Sequence, residues 1–250
     1  MTSGAVSEAG RVRKSNEDSY ALEDDLGLYV VADGMGGHQA GEVASRLAVE
    51  AIVGFINRTH EMDEFSWPYG IDTGLTLDGN RLRTALQLAN RRVFRTAEGH
   101  DDYTGMGTTV VSALLSGETV IVGHVGDSRL YIWSGGSLEQ VTKDDSWAAT
   151  MLAQNPGSSA SDVAKHPMRN VLTNVLGARE PTEIHVVERP IALGDTLLIS
   201  SDGVHGALSA EAIAGLLARG LPAQALAQDL VRAALDAGSR DNVTALIVQL

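Results

Sequence analysis

The sequence contains no cysteine among its 250 residues. Disulfide bonds and thiolate metal sites are therefore excluded, and any bound metal must be held by oxygen or imidazole ligands. Residues Met1 to Gly10 lack the basic stretch and apolar segment of a secretory signal peptide. The chain also lacks any run of about 18 apolar residues, so no membrane-spanning helix is predicted. From these absences we expect a soluble, cytoplasmic protein with no membrane partner.

Basic residues are scarce relative to acidic ones. The chain has 19 Lys and Arg residues against 32 Asp and Glu residues, which gives a formal net charge of −13. A protein that binds nucleic acid normally carries an excess of positive charge, so we expect no nucleic-acid partner. Two interpretations of the acidic balance are open at this point. Either the acidic residues serve solubility, or some of them form a site that requires cations.

Two hydrophobic patterns predict the secondary structure. Short apolar runs bounded by Gly, Asp, Ser or Pro are typical of strands, and they occur at 28–32, 108–115, 119–125, 130–133, 184–187, 196–200 and 243–250. Apolar residues spaced by about four positions, or segments closed by glycine, are typical of helices, and they occur at 42–56, 80–96, 209–219 and 222–237.

Several predicted strands between residues 108 and 133 follow one another without an intervening helix. That order indicates antiparallel sheets with helices packed outside them, an α+β fold, over an alternating α/β fold. A chain of 250 residues commonly forms one domain. We therefore predict a single domain over 1–250.

Aspartates recur at the ends of the predicted core strands. Asp33-Gly34 and Asp202-Gly203 directly follow apolar runs, Asp127 follows 119–125, and Asp241 precedes the last strand. Any one Asp-Gly pair is a common turn. Several partly buried carboxylates repel one another, however, and each close neighbour raises a pKa by about 1–3 units. Either these aspartates are spread apart and hydrogen-bonded, or a cation joins them.

The polar context of these aspartates consists of seven motifs that follow one another along the chain: Arg13-Lys14-Ser15-Asn16-Glu17-Asp18, Val31-Ala32-Asp33-Gly34-Met35-Gly36-Gly37-His38 with Ala40-Gly41-Glu42, Gly105-Met106-Gly107-Thr108-Thr109, Gly126-Asp127-Ser128-Arg129, Arg169-Asn170-Val171-Leu172-Thr173, Ser200-Ser201-Asp202-Gly203-Val204, and Ser239-Arg240-Asp241-Asn242-Val243-Thr244. Together they resemble a known family, the type 2C (PPM) protein phosphatases in their bacterial form. The resemblance covers essentially the whole chain, and its specificity lies in the order of the motifs.

The resemblance implies a fold and a metal site. The fold is a sandwich of two antiparallel sheets with helices on both outer faces. Asp33 resembles the carboxylate that bridges two metal ions, and the Gly34 carbonyl resembles a ligand of the second ion. Asp202 and Asp241 are similar to the remaining carboxylates on the first ion. All-oxygen ligands select hard cations, here Mn²⁺ or Mg²⁺.

Three further acidic residues take part in the implied site. Asp18, together with Glu17, resembles the acidic support of the second ion, in part through water. Asp127 and Asp202 resemble the site of a third, weaker ion that bacterial members of the family bind. The resemblance thus implies two core ions and a third one.

Two residues resemble those that handle the substrate. Arg13 resembles the arginine that takes the substrate phosphate, since a planar guanidinium matches two phosphate oxygens. His38 has two interpretations: it is a general acid for the departing seryl or threonyl oxygen, or it orders the Gly-rich loop or binds substrate. His124, inside an apolar strand, is predicted to be a hydrogen-bonded core histidine.

The resemblance implies hydrolysis of phosphoserine and phosphothreonine in proteins. The attacking group is a hydroxide activated between two ions, because two such ions about 3.5–4 Å apart can share a water and lower its pKa. Two alternatives remain: a catalytically silent regulatory relative, and a hydrolase of a small phosphate ester. The implied partners are phosphoprotein substrates, including a bacterial Ser/Thr kinase of the eukaryotic type and its targets, and we expect a monomer.

Two segments depart from the family pattern. Residues 142–178 match the position of the family's flap subdomain, a segment beside the active site, but their middle, 153–163, matches poorly. Asp144-Asp145-Ser146 stands where many relatives have Asp-His-Ser. A turn-rich insertion, 61–78, has no assigned role, and a partner surface is one hypothesis for it.

Overall fold

A computed structural model describes residues 1–37, 40–62, 67–155, 159, 162–163 and 166–250. Its strands are β1 (Thr2–Glu8), β2 (Asp18–Glu23), β3 (Leu28–Met35), β4 (Gly107–Thr108), β5 (Val110–Ser116), β6 (Thr119–Val125), β7 (Arg129–Ser134), β8 (Ser137–Gln140), β9 (His185–Pro190), β10 (Thr196–Ser200) and β11 (Val243–Gln249). Its α-helices are α1 (Ala40–Thr59), α2 (Leu77–Gly99), α3 (Trp147–Gln154), α4 (Asp202–His205), α5 (Ala210–Leu217) and α6 (Ala223–Asp236). In the described ranges, no helix is long and apolar enough to cross a membrane.

The strands form two antiparallel sheets. The first sheet has the order β1-β11-β10-β7-β8, and the second has the order β2-β3-β5-β6-β9 with the short β4 paired to β3. Side chains from both sheets pack between them, among them Tyr29, Val111 and Leu246. The predicted α+β sandwich is confirmed.

Helices cover both outer faces. Helices α1 and α2 pack on the second sheet, and α5 and α6 pack on the first. Strand β3 is therefore buried on both faces. Val30 points to the helix layer, and Val31 points to the space between the sheets. Because alternate side chains of a strand face opposite sides, a strand buried on both faces reads as a continuous apolar run.

In the described part of the chain, the sequence patterns missed the strands β1, β2 and β8 and the short α-helices α3 and α4. The predicted strand 108–115 is divided into β4 and β5, and the predicted strand 184–187 runs instead from His185 to Pro190. Each predicted helix is present, with shifted ends. Part of the segments 61–78 and 153–163 lies outside the described residues.

Candidate metal centre

A cavity of about 440 Å³ opens where the predicted aspartates meet. Asp33 lies near the end of β3, and Asp127 follows β6 in the turn to β7. Asp202 is the first residue of α4, directly after β10, and Asp241 lies two residues before β11. The cavity wall includes all four aspartates together with Glu17 and Arg13.

Asp18 lies beside this cavity, at the start of β2, where it is paired with Asp33 of β3. It is 8% exposed. Its Oδ2 accepts hydrogen bonds from Ser201 Oγ at 2.8 Å and Thr244 Oγ1 at 2.6 Å. Burial nevertheless raises the pKa of Asp18 to about 6, because these hydrogen bonds offset only part of the desolvation of the charged form.

The cavity carboxylates also prefer protons more strongly than exposed ones do. Burial and the charges of Asp18 and the other cavity aspartates raise the pKa of Asp33 well above its usual range. Burial, then Asp127 and Asp241, raises the pKa of Asp202 to about 7. Burial and Asp144 raise the pKa of Asp127 to about 6. Such clustered, desolvated acids are typical of functional sites.

Arg13 and Asp241 form an ion pair at the rim. Arg13 Nη2 lies 2.7 Å from Asp241 Oδ2, and the side chains are 53% and 35% exposed. The hydrogen bond from this pair raises the pKa of Arg13. Arg13 therefore reaches the cluster, and its exposed guanidinium lies within reach of a ligand that enters the cavity.

Glu17 and Gly34 are joined through their backbones, since Gly34 N donates to Glu17 O at 3.1 Å. Burial raises the pKa of the Glu17 carboxyl, which lines the cavity. The structure requires glycine at position 34, because a Cβ there would overlap the Gly41 carbonyl oxygen.

The chemistry of this site fits hard divalent cations. Every candidate ligand offers an oxygen atom. Asp18 Oδ1 and Asp202 Oδ1 are buried without a hydrogen-bond partner, which is costly for a carboxylate unless a cation satisfies it. Among the described residues, no three Asp, Glu, His or Cys side chains lie close enough together to enclose an ion.

Two supporting residues had no role in the sequence-based prediction. Thr109 lines the cavity, accepts a hydrogen bond from Asp33 N at 3.3 Å and lies 2.7 Å from Ser128 Oγ beside Asp127. Asn242 Oδ1 accepts from Glu17 N at 2.9 Å, and its Nδ2 donates to Ser15 O at 2.9 Å. Both belong to quoted motifs, but their contacts cross elements that are far apart in sequence.

The two histidines have different outcomes. His38 lies outside the described residues, so its proposed roles stay predictions. His124 is 2% exposed on β6, and its Nε2 lies 3.0 Å from the Lys143 carbonyl oxygen. The predicted core histidine is confirmed.

A comparison of the sequence with known protein families identifies the family of this chain. A model of the family described as protein phosphatase 2C matches residues 9–238. The chain belongs to the protein phosphatase 2C family. The predicted family is confirmed. The prediction that the chain is an enzyme, namely a protein phosphatase, is confirmed with it.

Individual relatives of this protein phosphatase 2C chain agree. It is 31% identical to the serine/threonine phosphatase stp of Listeria welshimeri over 245 residues, which cover 97% of this chain and 93% of the relative. The structure of the Mycobacterium tuberculosis serine/threonine phosphatase PstP/Ppp is similar with a TM-score of 0.83 and 33% identity, covering 99% of this chain and 97% of that one. The PstP catalytic domain solved with two manganese ions has a TM-score of 0.80 and 33% identity, covering 98% and 96%.

Proposed function

We propose that the chain hydrolyses phosphoserine and phosphothreonine in proteins with the help of bound Mn²⁺ or Mg²⁺. The observation that carries this proposal is the convergence of Asp33, Asp127, Asp202 and Asp241 on one cavity beside Arg13. Carboxylates suit hard cations, and an arginine beside them suits a phosphate. The family membership and the two manganese ions of the PstP structure support the same conclusion.

Each acidic residue has a proposed part in holding the ions. Asp33 would bridge two ions, with the Gly34 carbonyl on the second and Asp202 and Asp241 on the first. When bound, two ions held by these residues would supply positive charge at the phosphate and would lower the pKa of a water for attack at phosphorus.

Three other acids complete the proposed metal centre. Asp18 and Glu17 would support the second ion from the side of β2. Asp127, facing Asp202 across the cavity, would hold a third ion with it. The unpartnered Oδ1 atoms of Asp18 and Asp202 support these assignments.

Arg13 has the proposed task of holding the substrate phosphate. Its guanidinium is paired with Asp241 and half-exposed, so a phosphate that enters the cavity can take the place of that carboxylate as its partner. A fork of N–H donors holds two phosphate oxygens and orients the ester. His38 stays a hypothesis for the acid that protonates the departing serine or threonine oxygen.

The cavity rim favours a polypeptide over a small ester. Met35 and Val171 line the cavity and are 41% and 46% exposed. Exposed apolar side chains at the mouth of a charged cavity can pack on residues that flank a phosphorylated side chain. A small, polar phosphate ester would leave them unused.

We also propose that 1–250 forms one phosphatase domain in which 142–178 acts as a flap beside the cavity. A bacterial Ser/Thr kinase of the eukaryotic type and its targets are the proposed substrates, in keeping with the implied reaction. The monomeric state and the cytoplasmic location stay predictions.

The test is phosphate release from a phosphothreonine peptide by metal-free protein, during titration with Mn²⁺ and then Mg²⁺. The Asp202→Ala variant is assayed in parallel, with Asp236→Ala as a control because Asp236 pairs with Arg11 on the surface. We expect activity that requires metal, is lost in Asp202→Ala and persists in Asp236→Ala. Folded wild-type protein that binds the metal and releases no phosphate would refute the proposal and favour a silent relative.

A further inference from the structure

Asp145 connects two walls of the cavity. Its Oδ2 accepts a hydrogen bond from Gly126 N at 3.0 Å and another from Asn174 Nδ2 at 2.9 Å. Gly126 directly precedes Asp127, which lines one wall. Asn174 lies in the returning end of the flap, whose residues 170–172 and 175 line the other wall. One carboxylate oxygen therefore holds both walls.

The backbone of Asp145 repeats these connections. Asp145 N donates to Gly126 O at 2.9 Å, and Thr173 N donates to Asp145 O at 2.8 Å. Gly126 thus has both its N–H and its C=O bound by the same residue. Gly126 has φ of +98°, a conformation that favours glycine, and a Cβ at this residue would lie 2.7 Å from Thr109 Cβ. The turn that carries Asp127 therefore depends on this backbone arrangement.

His185 holds the remaining oxygen of the carboxylate. Its Nε2 lies 3.0 Å from Asp145 Oδ1, and the side chain of Asp145 is 15% exposed. Burial acts to raise the pKa of Asp145, but hydrogen bonds from His185, Gly126 and Asn174 lower it overall. The hydrogen bond to Asp145 in turn raises the pKa of His185. Each member of the pair therefore stabilises the charged form of the other.

We propose that Asp145, oriented by His185, is a positioning residue that sets the distance between the Asp127 turn and the returning flap segment 170–175. The inference rests on the proposed phosphatase function. It assigns to Asp145 the placement of the cavity segment that a polypeptide substrate would contact. Because residues 170–172 and 175 line the cavity, the position of this segment contributes to the preference for a polypeptide substrate.

Two variants separate the hydrogen bonds from the charge. Asp145→Ala removes every side-chain contact. In Asp145→Asn, the amide oxygen still accepts from Gly126 N and Asn174, and the amide nitrogen can donate to Nε2 of a neutral His185. The control is Asp195→Ala, because Asp195 is also buried and accepts from a backbone N–H, that of Ala192, in the turn before β10.

The assay compares a phosphothreonine peptide with p-nitrophenyl phosphate, a small ester that has no flanking residues to pack on the flap segment. Supporting residues of this kind typically contribute about 10–100-fold. We expect Asp145→Ala to lower kcat/KM for the peptide in that range, mainly through KM, and to lower it for the small ester at least fivefold less. Asp145→Asn should retain the selectivity of the wild type, and so should Asp195→Ala. Equal losses on both substrates in Asp145→Ala would overturn the inference.

Amide hydrogen exchange tests the same inference without activity. We expect faster exchange at Gly126 and across 170–175 in Asp145→Ala, with near wild-type exchange in Asp145→Asn. If the wild type hydrolyses neither substrate, the proposed function fails while this measurement still decides the positioning role. Unchanged exchange in Asp145→Ala would overturn it.

Discussion

Asp18 and Asp33 are directly opposite each other across the antiparallel pair of β2 and β3. Side chains in such a pair share one face of the sheet, with Cβ atoms about 4.5–5.5 Å apart, and like charges there destabilise the pairing. The fold therefore places two carboxylates where they cannot both be ionised at low cost. A proton or a cation between them relieves this repulsion.

This arrangement predicts an unusual dependence of stability on pH in metal-free protein. The pKa values of Asp18, Asp127 and Asp202 are raised to about 6, 6 and 7. A raised pKa means that the folded state binds protons more tightly than the unfolded state, so stability falls as pH rises through these values.

Thermal unfolding between pH 5 and pH 8 should show this, with a lower Tm at pH 8. A loss of 1 kcal/mol corresponds to about 2–4 °C for a protein of this size. Mn²⁺ or Mg²⁺ should raise Tm more at pH 8 than at pH 5, because deprotonated carboxylates bind the ion. A metal-free protein whose Tm rises from pH 5 to pH 8 would contradict the linkage.

Replacing Asp33 by Asn should abolish activity. The change keeps the shape of the side chain and removes the charge proposed to bridge two ions. Metal catalysis contributes several kcal/mol, so kcat/KM for a phosphothreonine peptide should fall by about 10³-fold. Asp236→Asn, on the surface of α6, is the control for an equivalent change elsewhere. Normal turnover of Asp33→Asn would remove the bridging assignment.

Arg13→Ala should act mainly on KM. A hydrogen bond to a charged group contributes about 1.5–3 kcal/mol, which corresponds to a KM for the phosphopeptide raised by about 10–100-fold. Arg11→Ala is a matched control, because Arg11 is two residues away and pairs with Asp236 at the exposed surface. Initial-rate measurements at saturating metal separate kcat from KM. Equal KM values in the two variants would exclude Arg13 from phosphate binding.

Gly203→Ala should destabilise the protein. A Cβ at Gly203 would overlap the Asn242 carbonyl oxygen, next to Asp241, and forced overpacking typically costs about 1–3 kcal/mol. A Cβ at Gly215, in α5, would have open space around it. Gly215→Ala should therefore stabilise the protein by about 0.5–1 kcal/mol. Chemical denaturation of both variants measures the difference. A Gly203→Ala variant that is at least as stable as the wild type would show that the contact at Gly203 relaxes freely.

The sequence patterns predicted the strands that are buried on both faces of a sheet. Strands β3, β6 and β10 each contain a run of consecutive apolar residues, at 28–32, 120–122 and 197–199, so their pattern is strong. Strand β1, TSGAVSE, has few large apolar residues and takes strand form through its register with β11. Tertiary pairing of this kind overrides a weak local preference. Helix α3 spans only eight residues, which is shorter than the window of 11–18 residues over which a helical period can be recognised.

The same division holds at the site. Asp33, Asp202 and Asp241 could be predicted because each lies at a strand end inside a short motif. The contacts of Asp145 with Gly126, Asn174 and His185 could not, since they join residues 19 to 40 positions apart. Only the fold brings those residues together.

Strand β11 comes after the other described strands along the chain and yet lies inside the first sheet, between β1 and β10. During synthesis that sheet must wait for residues 243–249 before β1 can join it. Domains fold as units, and pairings between distant segments form slowly. A ribosome-bound chain that stops short of β11 would thus expose an open strand edge and lack activity, so the enzyme would begin to work only when β11 has emerged.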